Sequence, residues 1–228
     1  LGIEGLVVIG GDGSFTGAKL LSDEQGINVV GIPGTIDNDL AYTDYTLGFD
    51  TAVNTVLWAI NALRDTMTSH DRVSLVKVMG RRCGDIALYA GICGGAEYIL
   101  VPEVPYDIQK IANGIKHNRE TGKTANVIVL AEGAGDENEI KTIVSVISGA
   151  DVKITALGHI QRGGSPSMAD RMLAAKFGYH AVKLLMAGKT NRVIGCHGQK
   201  TIDLDITEAL SMKKDIDKHL YEMAAKLC

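Results

Sequence analysis

Leu6-Val7-Val8-Ile9-Gly10-Gly11-Asp12-Gly13-Ser14 is a short apolar run that breaks into a glycine-bearing tip carrying one carboxylate. The pattern recurs where Val29-Val30-Gly31-Ile32 runs into Pro33-Gly34-Thr35-Ile36-Asp37-Asn38-Asp39. Each reads as a buried strand that ends in a polar loop. Glycine lets backbone N–H groups approach phosphate oxygens, and an aspartate beside them is a hard ligand for Mg2+. Two such tips in tandem imply phosphoryl chemistry.

Working outward, strand, tip and helix alternate along the chain. Helix follows the first tip to residue 21, and the apolar spacing of Ala52, Val53, Val56, Leu57, Ile60 and Leu63 predicts another over 51–64. Strands are predicted over 73–79, 98–101, 126–131, 152–157 and 192–197, and helices over 84–94, 107–118, 138–148, 168–187 and 214–226. Continuous apolar strands alternating with helices predict an α/β fold, a mostly parallel sheet covered on both faces. Ligands of such sheets bind at the carboxyl ends of strands, where the tips after Ile9, Ile32, Met79, Ala131 and Leu157 fall.

Composition narrows the function classes. The 228 residues are 46% apolar and 22% charged with net charge −4, and no basic run is interleaved with aromatics, which argues against nucleic acid. Cys83, Cys93, Cys196 and Cys228 form no C-x-x-C pair, so neither a zinc site nor a disulfide framework is expected. No apolar stretch has the length of a membrane span and no signal-peptide pattern precedes the first strand, so a soluble cytoplasmic protein is expected. The chain begins at Leu1 rather than Met, which reads as a piece of a longer chain.

Each constellation has a plainer reading beside the functional one. Gly10–Ser14 can be a tight turn with Asp12 and Ser14 as helix caps; Gly11, Gly13 and Gly17 do not have dinucleotide-fingerprint spacing, which disfavours a Rossmann dehydrogenase. Asp37 and Asp39, two residues apart in an exposed loop, want a cation or a proton-transfer role, against an Asx-turn with solvated carboxylates. His159 and Arg162 on the glycine-flanked loop Leu157–Gly164 suit a sugar phosphate, although a lone histidine is more often structural. Arg81 can be a helix-capping surface residue and Glu132 a strand-end charge. Trp58 and most methionines read as core, and Lys213-Lys214 as the solvated face of the last helix.

Gly-Gly-Asp-Gly-Ser, Pro-Gly-Thr-Ile-Asp-Asn-Asp, Met-Gly-Arg and Leu-Gly-His-Ile-Gln-Arg-Gly-Gly, in this order, resemble the bacterial ATP-dependent 6-phosphofructokinases over essentially the whole chain. Diacylglycerol and NAD kinases share the first element but lack the Thr-Ile-Asp-Asn-Asp and His-Ile-Gln-Arg loops. The resemblance implies transfer of the γ-phosphoryl group of MgATP to the C1 hydroxyl of fructose 6-phosphate, a glycolytic step, with ADP as the other product. It implies that Gly11, Asp12, Gly13, Ser14 and Gly17 bind ATP, and that Asp12 and Asp39 serve Mg2+. Asp37 would be the base, with Thr35 and Arg81 assisting at the transferred group. Met79, Gly80, Arg81, Glu132, His159 and Arg162, with Thr35 and Asp37, would surround the sugar phosphate.

Arg72 and Lys153 resemble residues lent to a neighbouring subunit's sugar-phosphate site, which implies a homo-oligomer, a tetramer. Arg64, Gly95, Glu97 and Lys123 match an effector pocket for a nucleoside diphosphate or phosphoenolpyruvate. Pyrophosphate-using relatives tend to carry Asp where Gly13 stands and Lys where Gly34 stands, so ATP is the expected donor. Lys153 replaces the usual arginine and loses its fork, which predicts weaker sugar-phosphate binding. The family's opening segment is absent, which predicts a poor kinase if this piece is made alone. The implied fold is two doubly wound, Rossmann-like lobes with the active site in the cleft between them. The nucleotide lobe takes 1–48 and 161–211, and the sugar lobe 49–160 and 212–228. A non-catalytic regulatory subunit is the alternative from another class.

Overall fold

The computed structural model describes residues 2–67, 72–123 and 125–227; Leu1 and Cys228, both used in the sequence reading, lie outside the described residues. The chain divides into one unit of Leu1–Thr51 with Ser165–Asp215 and a second of Ala52–Gly164 with Ile216–Cys228.

In the first unit, β1 (Gly5–Gly10), β2 (Asn28–Pro33) and β7 (Arg192–His197) run parallel, and β8 (Lys200–Asp205) closes the order β1-β2-β7-β8 antiparallel. Successive residues of the inner strands face opposite sides. Val29 and Val193 pack with Phe15 and Ala18 of α1 (Asp12–Gln25) and with Ile206 and Ala209 of α7 (Ile206–Ser211). Val30 and Ile194 pack with Phe177, Ala181 and Leu184 of α6 (Met168–Met186). Both faces are thus covered, as a parallel sheet requires.

The second unit holds β3 (Arg72–Val78), β4 (Tyr98–Leu100), β5 (Asn126–Ala131) and β6 (Asp151–Ala156), all parallel, in the order β4-β5-β3-β6. Val73, Leu75, Ile128 and Leu130 face Ile111 and Ile115 of α4 (Ile108–Glu120) and Ile140 and Val144 of α5 (Glu137–Ser148). Asp107 and Asp136 cap these helices by accepting two backbone N–H bonds each. On this unit too lie α3 (Asp85–Cys93), most of α2 (Phe49–Met67), and α8 (Lys218–Leu227).

Several expectations need correction. The run Leu6–Ile9 is not buried on both sides: among the described residues β1 has a strand neighbour on one side only, and Ile9 is 65% exposed. Trp58 is 69% exposed, because the buried stripe of α2 runs through Ala52, Val53, Val56, Ala59 and Ile60 and position 58 faces away from it. Of the methionines only Met67 and Met79 are buried; Met168, Met172, Met186, Met212 and Met223 are exposed. The last helix starts at Lys218, where Asp217 accepts the Leu220 N–H at 2.9 Å, so Lys213 and Lys214 are not on a helix. Strand β8 and helix α7 were not anticipated. Gly198, at φ 57°, turns β7 into β8 with only Gly198 and Gln199 between the paired His197 and Lys200. Among the described residues no helix is long and apolar enough to cross a membrane.

Candidate active site

In the first unit the two tips start side by side. Gly10 lies opposite Pro33 in the β1–β2 register, and the Gly34 N–H donates to the Gly10 carbonyl at 3.0 Å. A Cβ at Gly34 would lie 2.7 Å from Ile9 Cγ2, so a larger residue there would oblige the exposed Ile9 side chain to shift. The helix α1 begins at once, with Gly11 as N-cap and no side-chain capping bond, so neither Asp12 nor Ser14 is a cap. Its first internal bond runs from Phe15 N–H to the Gly11 carbonyl at 3.1 Å. The amides of Asp12, Gly13 and Ser14 therefore precede the helix's own ladder, the arrangement that favours anions. Asp12, Gly13, Ser14 and Gly17 are all exposed.

The second tip is more enclosed than its sequence suggested. Asp37 is only 8% exposed, while Thr35 and Asp39 are half-buried, so the loop does not leave both carboxylates solvated. The reason is a return of the chain: Leu47 N–H donates to the Pro33 carbonyl at 2.8 Å and folds residues 38–46 over the tip. The Thr35 hydroxyl accepts the Asp37 N–H at 3.2 Å.

In the second unit three tips meet at the carboxyl end of the sheet. Glu132 N–H donates to the Val78 carbonyl at 2.9 Å, and Leu157 N–H to the Lys77 carbonyl at 3.1 Å. Gly80 (φ 136°) and Arg81 (φ 55°) turn sharply after β3, and the turn is pinned by Arg81 N–H donating to Glu132 Oε1 at 2.7 Å. Gly133 must be glycine, because a Cβ would meet the Arg81 carbonyl oxygen at 2.3 Å. His159 and Arg162 project from a 3-10 turn, Gly158–Arg162, and both are exposed. The structure thus brings Met79, Gly80, Arg81, Glu132, His159 and Arg162 to one end.

Arg72 and Lys153 are at the other end. Arg72 opens β3 and pairs in register with Asp151, and Ser74 pairs with Lys153. At about 3.3 Å per residue, Arg72 lies roughly 20 Å from the far end of its own strand. Both cations are bound to Asp151, Arg72 Nε at 3.4 Å and Lys153 Nζ at 3.1 Å. The Lys153 hydrogen bond, with the charges of Lys153 and Arg72, holds the Asp151 carboxyl below its usual value despite some desolvation. Arg64, Gly95, Glu97 and Lys123 also converge at this amino end. Glu97 accepts the Val127 N–H at 2.7 Å and faces Lys123 at 3.3 Å and Arg64 at 3.6 Å. Arg64 further donates to the carbonyls of Gly94, at 3.0 Å, and Gly95.

Residues 1–185 match the phosphofructokinase family. The chain is 59% identical over 226 residues to an ATP-dependent 6-phosphofructokinase of Clostridium tetani and 58% identical to one of Clostridium botulinum, covering 99% of this chain and 70% of each relative. The chain belongs to the phosphofructokinase family. Among solved structures, the Pichia pastoris phosphofructokinase in the T-state superposes with a TM-score of 0.86 at 30% identity. The phosphofructokinase of Saccharomyces cerevisiae gives 0.85 at 34%. This chain spans 28% and 35% of those yeast chains. A pyrophosphate-dependent phosphofructokinase from Marinobacter aquaeolei gives 0.83 at 25%, with 62% of that chain covered.

For a phosphofructokinase, the donor set of the first unit fits Mg2+ in one particular way. Among the described residues no group of three or more His, Cys, Asp or Glu could hold a metal unaided. Asp12 and Asp39 offer hard carboxylate oxygens, and Mg2+ is ordinarily bound by one or two carboxylates together with substrate phosphates. Beside Asp12 the structure also leaves an orphaned polar atom. The Tyr42 hydroxyl is buried and has no hydrogen-bond partner among the described residues, and burial, then the Asp12 charge, push its pKa far up. The residues therefore suit an ion that arrives with a nucleotide.

Sequence reasoning missed three residues that shape these tips. Gln161 is buried, accepting the Met79 N–H at 3.1 Å and donating to the Gly158 carbonyl at 2.9 Å, which ties the 3-10 turn to the end of β3. Asp170 is buried and accepts the N–H groups of Gly48, at 2.8 Å, and Thr51, at 2.9 Å, across 122 and 119 residues of sequence. Thr46 closes the Thr35–Asp39 loop. Gln161 lies within the His-Ile-Gln-Arg motif but was given no role, Thr46 carries no motif signal, and Asp170, three residues after the capping Ser167, has a helix-start signature.

Proposed function

We infer that the protein transfers the γ-phosphoryl group of ATP to the C1 hydroxyl of fructose 6-phosphate, giving fructose 1,6-bisphosphate and ADP. The observation that carries this reading is the adjacency of the Gly10–Ser14 helix start and the Thr35–Asp39 tip, joined at Gly10 and Gly34. Asp37 accepts the C1 hydroxyl proton as the oxygen attacks the γ-phosphorus, and the bond to the ADP oxygen breaks. Thr35, whose hydroxyl is fixed by the Asp37 amide, lies beside the transferred group. The α1 amides and Gly11, Gly13, Ser14 and Gly17 receive the nucleotide phosphates. Mg2+ held by Asp12 and Asp39 with the nucleotide would neutralise charge developing on the phosphates. Arg162 and His159 hold the sugar 6-phosphate, Arg81 offsets charge on the transferred group, and Met79, Gly80 and Glu132 bound the sugar. Rate then comes from positioning and charge stabilisation, as in phosphoryl transfer generally.

The donor reading is supported by Gly13. A Cβ there would meet nothing within 4 Å, so packing does not impose glycine and the free space is left to the ligand. Gly34 supports it less, because a Cβ there would also press on Ile9 Cγ2, at 2.7 Å. The remoteness of Arg72 and Lys153 from Arg162 supports a homo-oligomer, a tetramer, in which these cations serve a neighbour's sugar phosphate. The convergence of Arg64, Gly95, Glu97 and Lys123 supports an effector site for a nucleoside diphosphate or phosphoenolpyruvate. The cysteine pattern, with no C-x-x-C pair and wide spacing, supports a cytoplasmic setting. The test is phosphorylation of fructose 6-phosphate by the full-length gene product with MgATP and Mg-pyrophosphate in parallel. Turnover with ATP alone is expected. Turnover with pyrophosphate would overturn the donor reading, and binding without turnover would make the protein a regulatory subunit.

A further inference from the structure

Beyond the bridge of Gly34 to Leu47, the tip that carries the base lies outside the strands and helices, and its acidic residues repel one another. What fixes it is a closed polar ring. Asn38 sits between the two acids with φ 53°, a left-handed conformation that asparagine tolerates, and its side chain is 1% exposed. Its Oδ1 accepts the Thr46 N–H at 3.0 Å and lies 3.3 Å from the Thr46 hydroxyl, while Nδ2 donates to the Asp44 carbonyl at 3.1 Å. Thr46, also 1% exposed, sends its hydroxyl proton to the Thr35 carbonyl at 2.6 Å. The ring therefore joins both ends of the segment Thr35–Asn38 to a single residue eight positions further on. Beyond it, Asp44 N–H donates to the Cys196 carbonyl at 2.9 Å, which anchors the return segment on β7.

We propose that Asn38 and Thr46 form a buried brace that sets the position of Asp37 and Asp39, which makes both of them positioning residues for the transfer step. The inference rests on the reading of Asp37 as the base. The brace acts through the loop rather than on the reacting atoms, since both side chains are buried within it. Their hydrogen bonds end on the backbone of the loop, so loosening them moves the carboxylates without removing a ligand contact. A displacement of the order of 1 Å at such a site costs about a hundredfold in rate.

The experiment compares Thr46→Val, which keeps shape and loses the hydroxyl bond, with Thr46→Ser, which restores it, and with Asn38→Gly, which keeps the left-handed backbone and loses the amide. In the full-length enzyme kcat, both KM values and the thermal midpoint are measured. Thr46→Val and Asn38→Gly are expected to lower kcat by about tenfold to a hundredfold with KM within about twofold, and Thr46→Ser to recover most of kcat. A kcat for Thr46→Val within about twofold of wild type overturns the brace, as does a loss that Thr46→Ser fails to recover or that simply tracks a lowered thermal midpoint. Asp37→Asn separates the two failures. If it abolishes turnover while Thr46→Val does not, only the brace is wrong; if it retains turnover, the base assignment falls and the brace with it.

Discussion

The candidate phosphate cations at the two ends of the β4-β5-β3-β6 sheet, His159 and Arg162 at one and Arg72, Lys153, Arg64 and Lys123 at the other, are in opposite states. At the carboxyl end Arg162 and His159 are exposed and have no ion-pair partner among the described residues, and the neighbouring Glu132 gives an oxygen to the Arg81 backbone. At the amino end the candidate cations are already committed to carboxylates of their own chain, Arg72 and Lys153 to Asp151, and Arg64 and Lys123 to Glu97. On the proposed reading, a phosphate reaching the first end meets no carboxylate already paired with Arg162 or His159 among the described residues. At the second it must exchange with a resident carboxylate. The Asp151 pairs are exposed and exposed ion pairs contribute little, so that exchange is open, whereas Glu97 is buried and holds its cations in a drier place; at both, affinity is a difference between competing anions.

The contrast can be broken by mutation. Arg162→Ala is expected to give the largest effect, raising the KM for fructose 6-phosphate by about tenfold to a hundredfold, because a charge-assisted contact is lost with no internal competitor to offset it. An increase below about twofold, read from steady-state kinetics with kcat fitted separately, would remove Arg162 from the site. Lys153→Arg should lower the same KM by a few-fold, roughly a factor of three, since guanidinium adds a second hydrogen bond to phosphate. An unchanged or higher KM would contradict the argument from the lost fork.

The smallest and most diagnostic effect belongs to Asp151→Asn. Removing the resident carboxylate should lower the KM by about twofold to threefold at low salt, and the difference should shrink as ionic strength rises. Because Lys153 and Arg72 keep the Asp151 carboxyl below its usual range, the difference should be flat across neutral pH. A raised KM would mean that Asp151 organises the two cations rather than competing for them.

What the sequence made legible was the chemistry of the tips, because glycine beside a carboxylate or an Arg-Gly-Gly run is a local signal. The strands of the core were equally plain from their apolar runs. What escaped it depends on contacts made across the fold. Asn38 and Thr46 are ordinary polar residues until the return at Leu47 closes the loop over them, and Gln161 gains its role only where β3 and β6 lie side by side. Trp58 was misread because an aromatic residue in an apolar stretch suggests core, although the spacing of Val56, Ala59 and Ile60 already places position 58 off the stripe. Strand β8 was missed because Thr201-Ile202-Asp203-Leu204-Asp205 alternates polar and apolar residues, the pattern of a half-covered antiparallel edge rather than of the buried parallel strands around which the rest was read.

The central claim is that Asp37 is the base of a transfer from ATP to fructose 6-phosphate. The most direct measurement is turnover of the full-length Asp37→Asn enzyme with both substrates, alongside binding of each substrate to the same preparation. The account predicts a fall in kcat of about a hundredfold to ten-thousandfold with both affinities within about threefold of wild type. Turnover that persists, or binding that is lost while turnover remains, would contradict it.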